Sequence, residues 1–151
     1  MKIIPLSNCT FEQWLPLWQA YLEFYKSKLS SEQIILSWKR ITNHEQADMF
    51  GYALMQNDKM IGFVHLISHN STWTEKPYCY LQDLFIDHNY RNQGYARQLI
   101  EHVYAKCHEK FDRVYWLTHE SNQDAQLLYD RIATKTGFIQ SRIQIPSATH
   151  L

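Results

Sequence analysis

Residues 80–97 read Tyr-Leu-Gln-Asp-Leu-Phe-Ile-Asp-His-Asn-Tyr-Arg-Asn-Gln-Gly-Tyr-Ala-Arg, and this stretch decides the fold. An apolar strand over Tyr80 to Asp87 runs into a tight turn, and the turn opens directly on a helix. Arg91, Gly94 and Ala96 let the backbone of that turn approach a ligand without a bulky side chain in between. The first N–H groups of a helix lack partners and carry about half a unit of positive charge, which suits an anion. Taken alone, the turn reads equally well as an ordinary strand–helix connection that uses glycine for its backbone freedom. There is no Gly-Lys-Ser/Thr, and Gly94-Tyr95-Ala96 lacks the Gly-x-Gly start of a dinucleotide fingerprint, so both common nucleotide loops are excluded.

On either side the hydrophobic pattern alternates between strand and helix periods. Met1 to Leu6 reads as a short strand stopped near Pro5. Thr10 caps a first helix reaching about Ser27, on which Phe11, Trp14, Trp18, Tyr21 and Tyr25 form one aromatic face. A second helix starts at Ser31 and carries Ile34, Ile35, Trp38 and Ile41. Met49 to Met55 and Lys59 to Ile67 are strand-like, with a hairpin turn at Gln56-Asn57-Asp58. Polar residues 68–77 form a loop. After the turn, Ala96, Leu99, Ile100, Val103 and Cys107 fall on one helical stripe. Arg113 to Thr118 reads as a buried strand, and Asn122 caps a helix whose inner face holds Ala125, Leu128, Tyr129 and Ile132. Gly137 to Ile139 and Arg142 to Ile145 suggest closing strands. The order predicts an α/β architecture, a mixed sheet covered by helices.

The 151 residues suffice for one domain with a real core, and a hydrophobic fraction of 45% with 20% charged residues is globular rather than disordered. Lys plus Arg and Asp plus Glu balance at 15 each, which gives no support to a nucleic-acid footprint. No apolar run approaches the roughly 20 residues needed to span a bilayer. Cys9, Cys79 and Cys107 have no paired spacing, so they are expected to be reduced thiols in a cytoplasmic protein. Of eight histidines only His65 and His69 stand four apart, on a strand rather than a helix, so they are expected at the core edge or in solvent and no metal site is expected.

Two blocks carry a family resemblance. Arg91-Asn92-Gln93-Gly94-Tyr95-Ala96 is an instance of an Arg/Gln-x-x-Gly-x-Gly/Ala signature. Asn122-Gln123-Asp124-Ala125-Gln126-Leu127-Leu128-Tyr129 with Gly137-Phe138 matches an Asn-x-x-Ala-x-x-Leu-Tyr…Gly-Phe block. Both, in this order, resemble the GNAT family of N-acetyltransferases, and residues 114–122 are similar to its small histone and polyamine acetyltransferase-like branch. The resemblance implies a GNAT fold over residues 1–151 as a single domain. Its central sheet would be mixed, mostly antiparallel, with six to seven strands and helices on both faces. It also implies transfer of the acetyl group of acetyl-CoA to a primary amine by direct attack in a ternary complex.

Carried over to this chain, the resemblance assigns the arm of acetyl-CoA to main-chain groups of Leu84, Phe85 and Ile86, where the strands at Phe85 and Leu117 are expected to splay. It assigns the pyrophosphate to N–H groups of Asn92, Gln93, Gly94, Tyr95, Ala96 and Arg97, with Arg91 as a local positive charge. Asn122 would hydrogen-bond the arm beside Ala125, and Tyr129 would sit next to the sulfur and donate a proton to the leaving thiolate. From its residues alone, Tyr129 reads as a core tyrosine. Some relatives carry Glu at the position of Gln82, an amide that cannot take a proton, and Asp83 is expected to point to the other side of the strand. Glu120, His119 or a chain of waters are the other candidates for the base. Trp18 and Tyr25 either pack the core or, with Glu23 or Glu12, frame a cationic amine, and Gln82 and Asp83 are further candidates to meet the acceptor. Polyamines, lysine or histone-type side chains, amino acids and aminoglycosides all fit, and a homodimer or higher homo-oligomer is expected, with the tail from Gln140 to Leu151 able to pair between subunits. Two other function classes stay open: a catalytically silent acyl-CoA-binding regulatory module and a protein-interaction scaffold.

Overall fold

The computed structural model describes residues 1–146. Two compact units make up the chain, Met1–Leu117 and Thr118–Leu151.

The first unit is built on a five-stranded sheet in the order β1-β2-β3-β4-β5. Its strands are β1 (Lys2–Pro5), β2 (Met49–Gln56), β3 (Lys59–His69), β4 (Tyr78–Ile86) and β5 (Arg113–Tyr115). The first four pair antiparallel in sequence, and β5 joins β4 in parallel. The β2–β3 hairpin turns where expected, with Asn57 in the left-handed region at φ 54°.

Helices cover both faces. On one lie α1 (Phe11–Phe24) and α2 (Ser31–Thr42); on the other lies α3 (Tyr95–Cys107). Thr10 closes a capping box on α1 with Gln13, and the Ser30 hydroxyl accepts the Gln33 N–H at the start of α2. The α1 helix ends at Phe24 rather than near Ser27, because Lys26 turns left-handed at φ 53° and ends the repeat. Trp14 and Trp18 of α1 pack on Phe63, Ala53 and Met55, and Trp14 and Phe63 are wholly buried. On the opposite face His102 of α3 meets the Tyr52 ring edge-on at 4.7 Å, while Leu99, Val103 and Cys107 are buried. Alternate residues of β2 thus serve opposite layers, as the two-residue period of a strand requires.

In the second unit, α4 (Gln123–Ile132) starts where the Asn122 side chain accepts the Ala125 N–H at 3.3 Å. The closing strands expected at Gly137–Ile139 and Arg142–Ile145 are not present; those residues carry no strand, and Phe138, Ile139 and Ile143 are at least 90% exposed. The sheet of the described residues therefore has five strands, not six to seven. An apolar run becomes a strand only where a neighbouring edge takes its N–H and C=O groups, and sequence pattern alone does not supply that edge. Residues 147–151, the end of the tail expected to pair between subunits, lie outside the described residues. Within the described residues no helix is long and apolar enough to cross a membrane.

Candidate active site

The pairing of β4 changes partway along its length. On one side it follows β3 throughout, but on the other it meets β5 only from Tyr78 to Tyr80, opposite Arg113 to Tyr115. Beyond that point Leu81 to Ile86 have no paired strand on this side among the described residues. The strand expected over Arg113 to Thr118 ends at Tyr115, so Leu117 lies in no strand. The register against β3 also slips: His65 faces Asp83 while Leu66 faces Leu81, leaving Gln82 as one extra residue in β4. Such an insertion re-aims the neighbouring side chains. Gln82 is exposed, and Asp83 is turned toward α1.

Past Ile86 the chain makes a short 3-10 turn, His88–Tyr90, tied down by the Asp87 side chain accepting the Asn89 N–H and by Tyr90 Oη donating to Gln56 Oε1 at 2.6 Å. Asn92 (φ 61°) and Gly94 (φ 81°) then turn left-handed and open α3. No side chain caps α3, whereas α1, α2 and α4 each have a capping side chain. A Cβ on Gly94 would meet no atom within 4 Å, so the glycine answers to its backbone angle and leaves open space over the uncapped N–H groups. Asn92, Gln93 and Arg97 are exposed and Tyr95 and Ala96 are partly covered. Arg97 pairs with Glu101 at 2.8 Å. Arg91 folds back: its Nε donates to the Ile86 carbonyl at 3.1 Å, and its guanidinium lies 5.1 Å from the ring centres of both Phe24 and Phe85. It therefore braces the end of β4 and supplies charge nearby, instead of reaching out as a ligand.

On the α1 face of β4 lies a polar chain with no direct sequence signal. Trp14 Nε1 donates to His65 Nε2 at 3.1 Å, His65 Nδ1 lies 2.9 Å from Asp83 Oδ2, and Tyr21 Oη donates to Asp83 Oδ1 at 2.6 Å. An indole N–H can only donate, so Nε2 of His65 accepts and its proton sits on Nδ1, aimed at Asp83. The His65–Asp83 contact is thus a neutral donor on a carboxylate, not a pair of opposite charges. His65 is buried, not at the core edge or in solvent as expected. Burial, then the adjacent Asp83 carboxylate, push the Tyr21 phenol far above its ordinary value. Around this chain Trp18 stacks on Tyr21 at 5.1 Å and Tyr21 meets Tyr25 at 4.9 Å. Trp18 is a core residue with 7% exposure, while Tyr25 is half exposed.

Two open grooves border the first unit. The larger, of about 760 Å³, runs between α1 and the β2–β3 turn, away from the polar chain. The smaller, about 290 Å³, is lined by Phe24, Phe85 and Arg91 and adjoins the turn before α3. Neither groove is lined by Asp83, His65 or Tyr21. In the second unit, Asn122 uses Oδ1 to cap α4, and Tyr129, half-buried, lies two turns further along that helix.

A single family model spans residues 11–133, that of the acetyltransferase (GNAT) family. The chain belongs to the GNAT family. The D-amino-acid N-acetyltransferase HPA3 of Saccharomyces cerevisiae (strain ATCC 204508 / S288c) is 32% identical over 128 residues, which cover 83% of this chain and 79% of the yeast protein. Among solved structures, the aminoglycoside acetyltransferase meta-AAC0020 from an uncultured soil metagenomic sample superposes with TM-score 0.80 at 20% identity, covering 96% of each chain. Aminoglycoside N-acetyltransferase AAC(6')-Iy in complex with CoA gives 0.75 at 15% identity, covering 96% of this chain and all of that one. This GNAT protein is an acetyl-CoA-dependent N-acetyltransferase with acetyl-CoA as its acetyl donor. Its residues fit that donor: the uncapped α3 N-terminus suits a diphosphate, and the unpaired flank of β4 suits an amide-bearing arm.

Proposed function

We propose that this enzyme acetylates a small cationic primary amine held at Asp83. The carrying observation is that Asp83 receives only neutral donors, from His65 and Tyr21, so its charge has no cationic partner among the described residues. Each carboxylate oxygen keeps a second lone pair, and Tyr21, whose ring lies 4.9 Å from that of Tyr25, stands beside it, a setting that favours an ammonium.

The donor would lie with its pyrophosphate at the N–H groups of Asn92 to Arg97, and its arm along Leu84, Phe85 and Ile86. Asn122 would offer its remaining amide donors to the arm beside Ala125. Tyr129 would hand its phenol proton to the departing sulfur, which lowers the cost of expelling a thiolate. When bound, acetyl-CoA supplies an acyl group on a good leaving group.

Release of free thiol from acetyl-CoA across a panel of polyamines, amino acids of both hands, lysine peptides and aminoglycosides tests this reading. Turnover with cationic amines is expected. Tight donor binding with no thiol released for any amine would make the protein a silent acyl-CoA-binding module.

A further inference from the structure

An ammonium cannot attack a thioester until it loses a proton, and the groups placed above leave that base unassigned. Gln82 is an amide, and His119 turns its Nδ1 inward on the Ser121 N–H at 3.1 Å and the Ser121 hydroxyl at 2.6 Å. At the other end of the open β4 flank lies a pair outside both family motifs. Tyr115 Oη is 2.6 Å from His69 Nε2. His69 Nδ1 is 2.9 Å from the Asn70 carbonyl, which can only accept, so Nδ1 carries the proton and Nε2 is the basic nitrogen. Tyr115 therefore donates to His69, and the lone pairs of its own oxygen remain to accept.

The position of this pair is set by the sheet. β4 and β5 part immediately after Tyr80 and Tyr115, whose rings stand 5.0 Å apart. The unpaired flank from Leu81 to Ile86 spans about 20 Å at strand rise. An arm anchored at the α3 end of that flank and running along it brings its far, reactive end toward the Tyr80–Tyr115 corner. Tyr80, whose ring stands 5.0 Å from that of Tyr115, lies three residues before Asp83 on β4 and so links the corner to the strand that carries the amine anchor. Tyr78, Cys79 and Arg113 also lie near Tyr115 and His69, and the Arg113 guanidinium lies over the Tyr78 ring at 4.1 Å. His69 is exposed, so a proton collected there passes to water.

We propose that Tyr115 and His69 form the proton relay that deprotonates the acceptor amine, with His69 Nε2 as the terminal acceptor. The ammonium gives one proton to Tyr115 Oη while the Tyr115 proton moves to His69 Nε2, leaving a neutral amine and an imidazolium. The amine lone pair then forms the C–N bond, the C–S electrons leave on sulfur, and the second nitrogen proton ends on that sulfur. One proton per turnover leaves through His69. Burial keeps the Tyr115 phenol above its ordinary value, so it passes a proton on without resting as an anion.

The assignment rests on the amine chemistry proposed above, and the two fail differently. Thiol release is measured for the full chain, Tyr115→Phe and His69→Gln, with two acceptors at pH 7: an alkylamine that is mostly protonated and a fluorinated alkylamine that is mostly neutral. His69→Gln keeps an acceptor for the Tyr115 hydroxyl but cannot hold a proton. The relay predicts that each variant loses about 100-fold in kcat/KM with the protonated amine and under about threefold with the neutral one. Equal losses with both amines, or none with either, overturn the relay while the acetyltransferase reading stands. Absence of turnover in the unaltered protein with every amine brings down both.

Discussion

Trp14 and His65 are fifty-one residues apart, yet the indole N–H of one fixes the tautomer of the other at 3.1 Å. That contact aims the His65 Nδ1–H at Asp83 and leaves the carboxylate charged within an aromatic layer. Trp14→Phe removes the donor and leaves a cavity in a wholly buried site, so a loss of about 2–4 kcal/mol in urea unfolding is expected. A change below about 0.5 kcal/mol would show that this hydrogen bond and its packing count for little.

Asp83→Asn keeps an oxygen for the Tyr21 hydroxyl but removes the charge. Steady-state kinetics should show the amine KM raised about tenfold or more, with the KM for acetyl-CoA moved less than about twofold, since a lost charge-assisted contact is worth about 1.5–3 kcal/mol. Matching shifts in both constants would place Asp83 in the fold rather than at the acceptor.

Gly94→Ala meets no steric neighbour, so its penalty is the left-handed backbone alone, about 1–2 kcal/mol. Relief of that strain re-aims the first N–H groups of α3, so calorimetry should find weaker acetyl-CoA binding and an unchanged amine KM. Unaltered donor affinity would separate the turn from the pyrophosphate.

The raised Tyr21 phenol gives stability a definite pH dependence. The unfolded chain releases this proton near pH 10 while the folded chain holds it, so the folded state loses ground as pH rises above 10. Tyr52, Tyr80 and Tyr115 are shifted the same way, so the informative comparison is Tyr21→Phe, whose unfolding midpoint should fall less steeply between pH 9.5 and about 11. Parallel curves would mean that Tyr21 ionises as freely in the folded chain.

Tyr129→Phe should lower kcat more than it raises the KM for acetyl-CoA, as expected of a group that acts on the leaving sulfur. Equal, small effects would make Tyr129 a packing residue of α4.

What the sequence disclosed was local. A strand, a left-handed glycine and a helix follow one another from Tyr80 to Arg97, so their reading needs no distant partner. Helix caps at Thr10 and Asn122 were legible for the same reason. Gln82 as an extra residue was not, because a bulge exists only relative to β3, some twenty positions back, and it is the bulge that turns Asp83 toward Tyr21. His65 and His69 stood out as a spaced pair, yet their partners, Trp14 and Tyr115, come from a helix and a strand that only the fold brings near. Phe138, Ile143 and Ile145 carry an apolar pattern without an edge to join, so periodicity pointed to strands that do not form.

The most direct test follows the backbone amides of the isotope-labelled protein by NMR while coenzyme A is added. The account predicts that the amides of Asn92 to Arg97 and of Leu84 to Ile86 shift together and saturate at one ligand per chain. Saturating shifts confined to other residues, or no shifts at all, would contradict it.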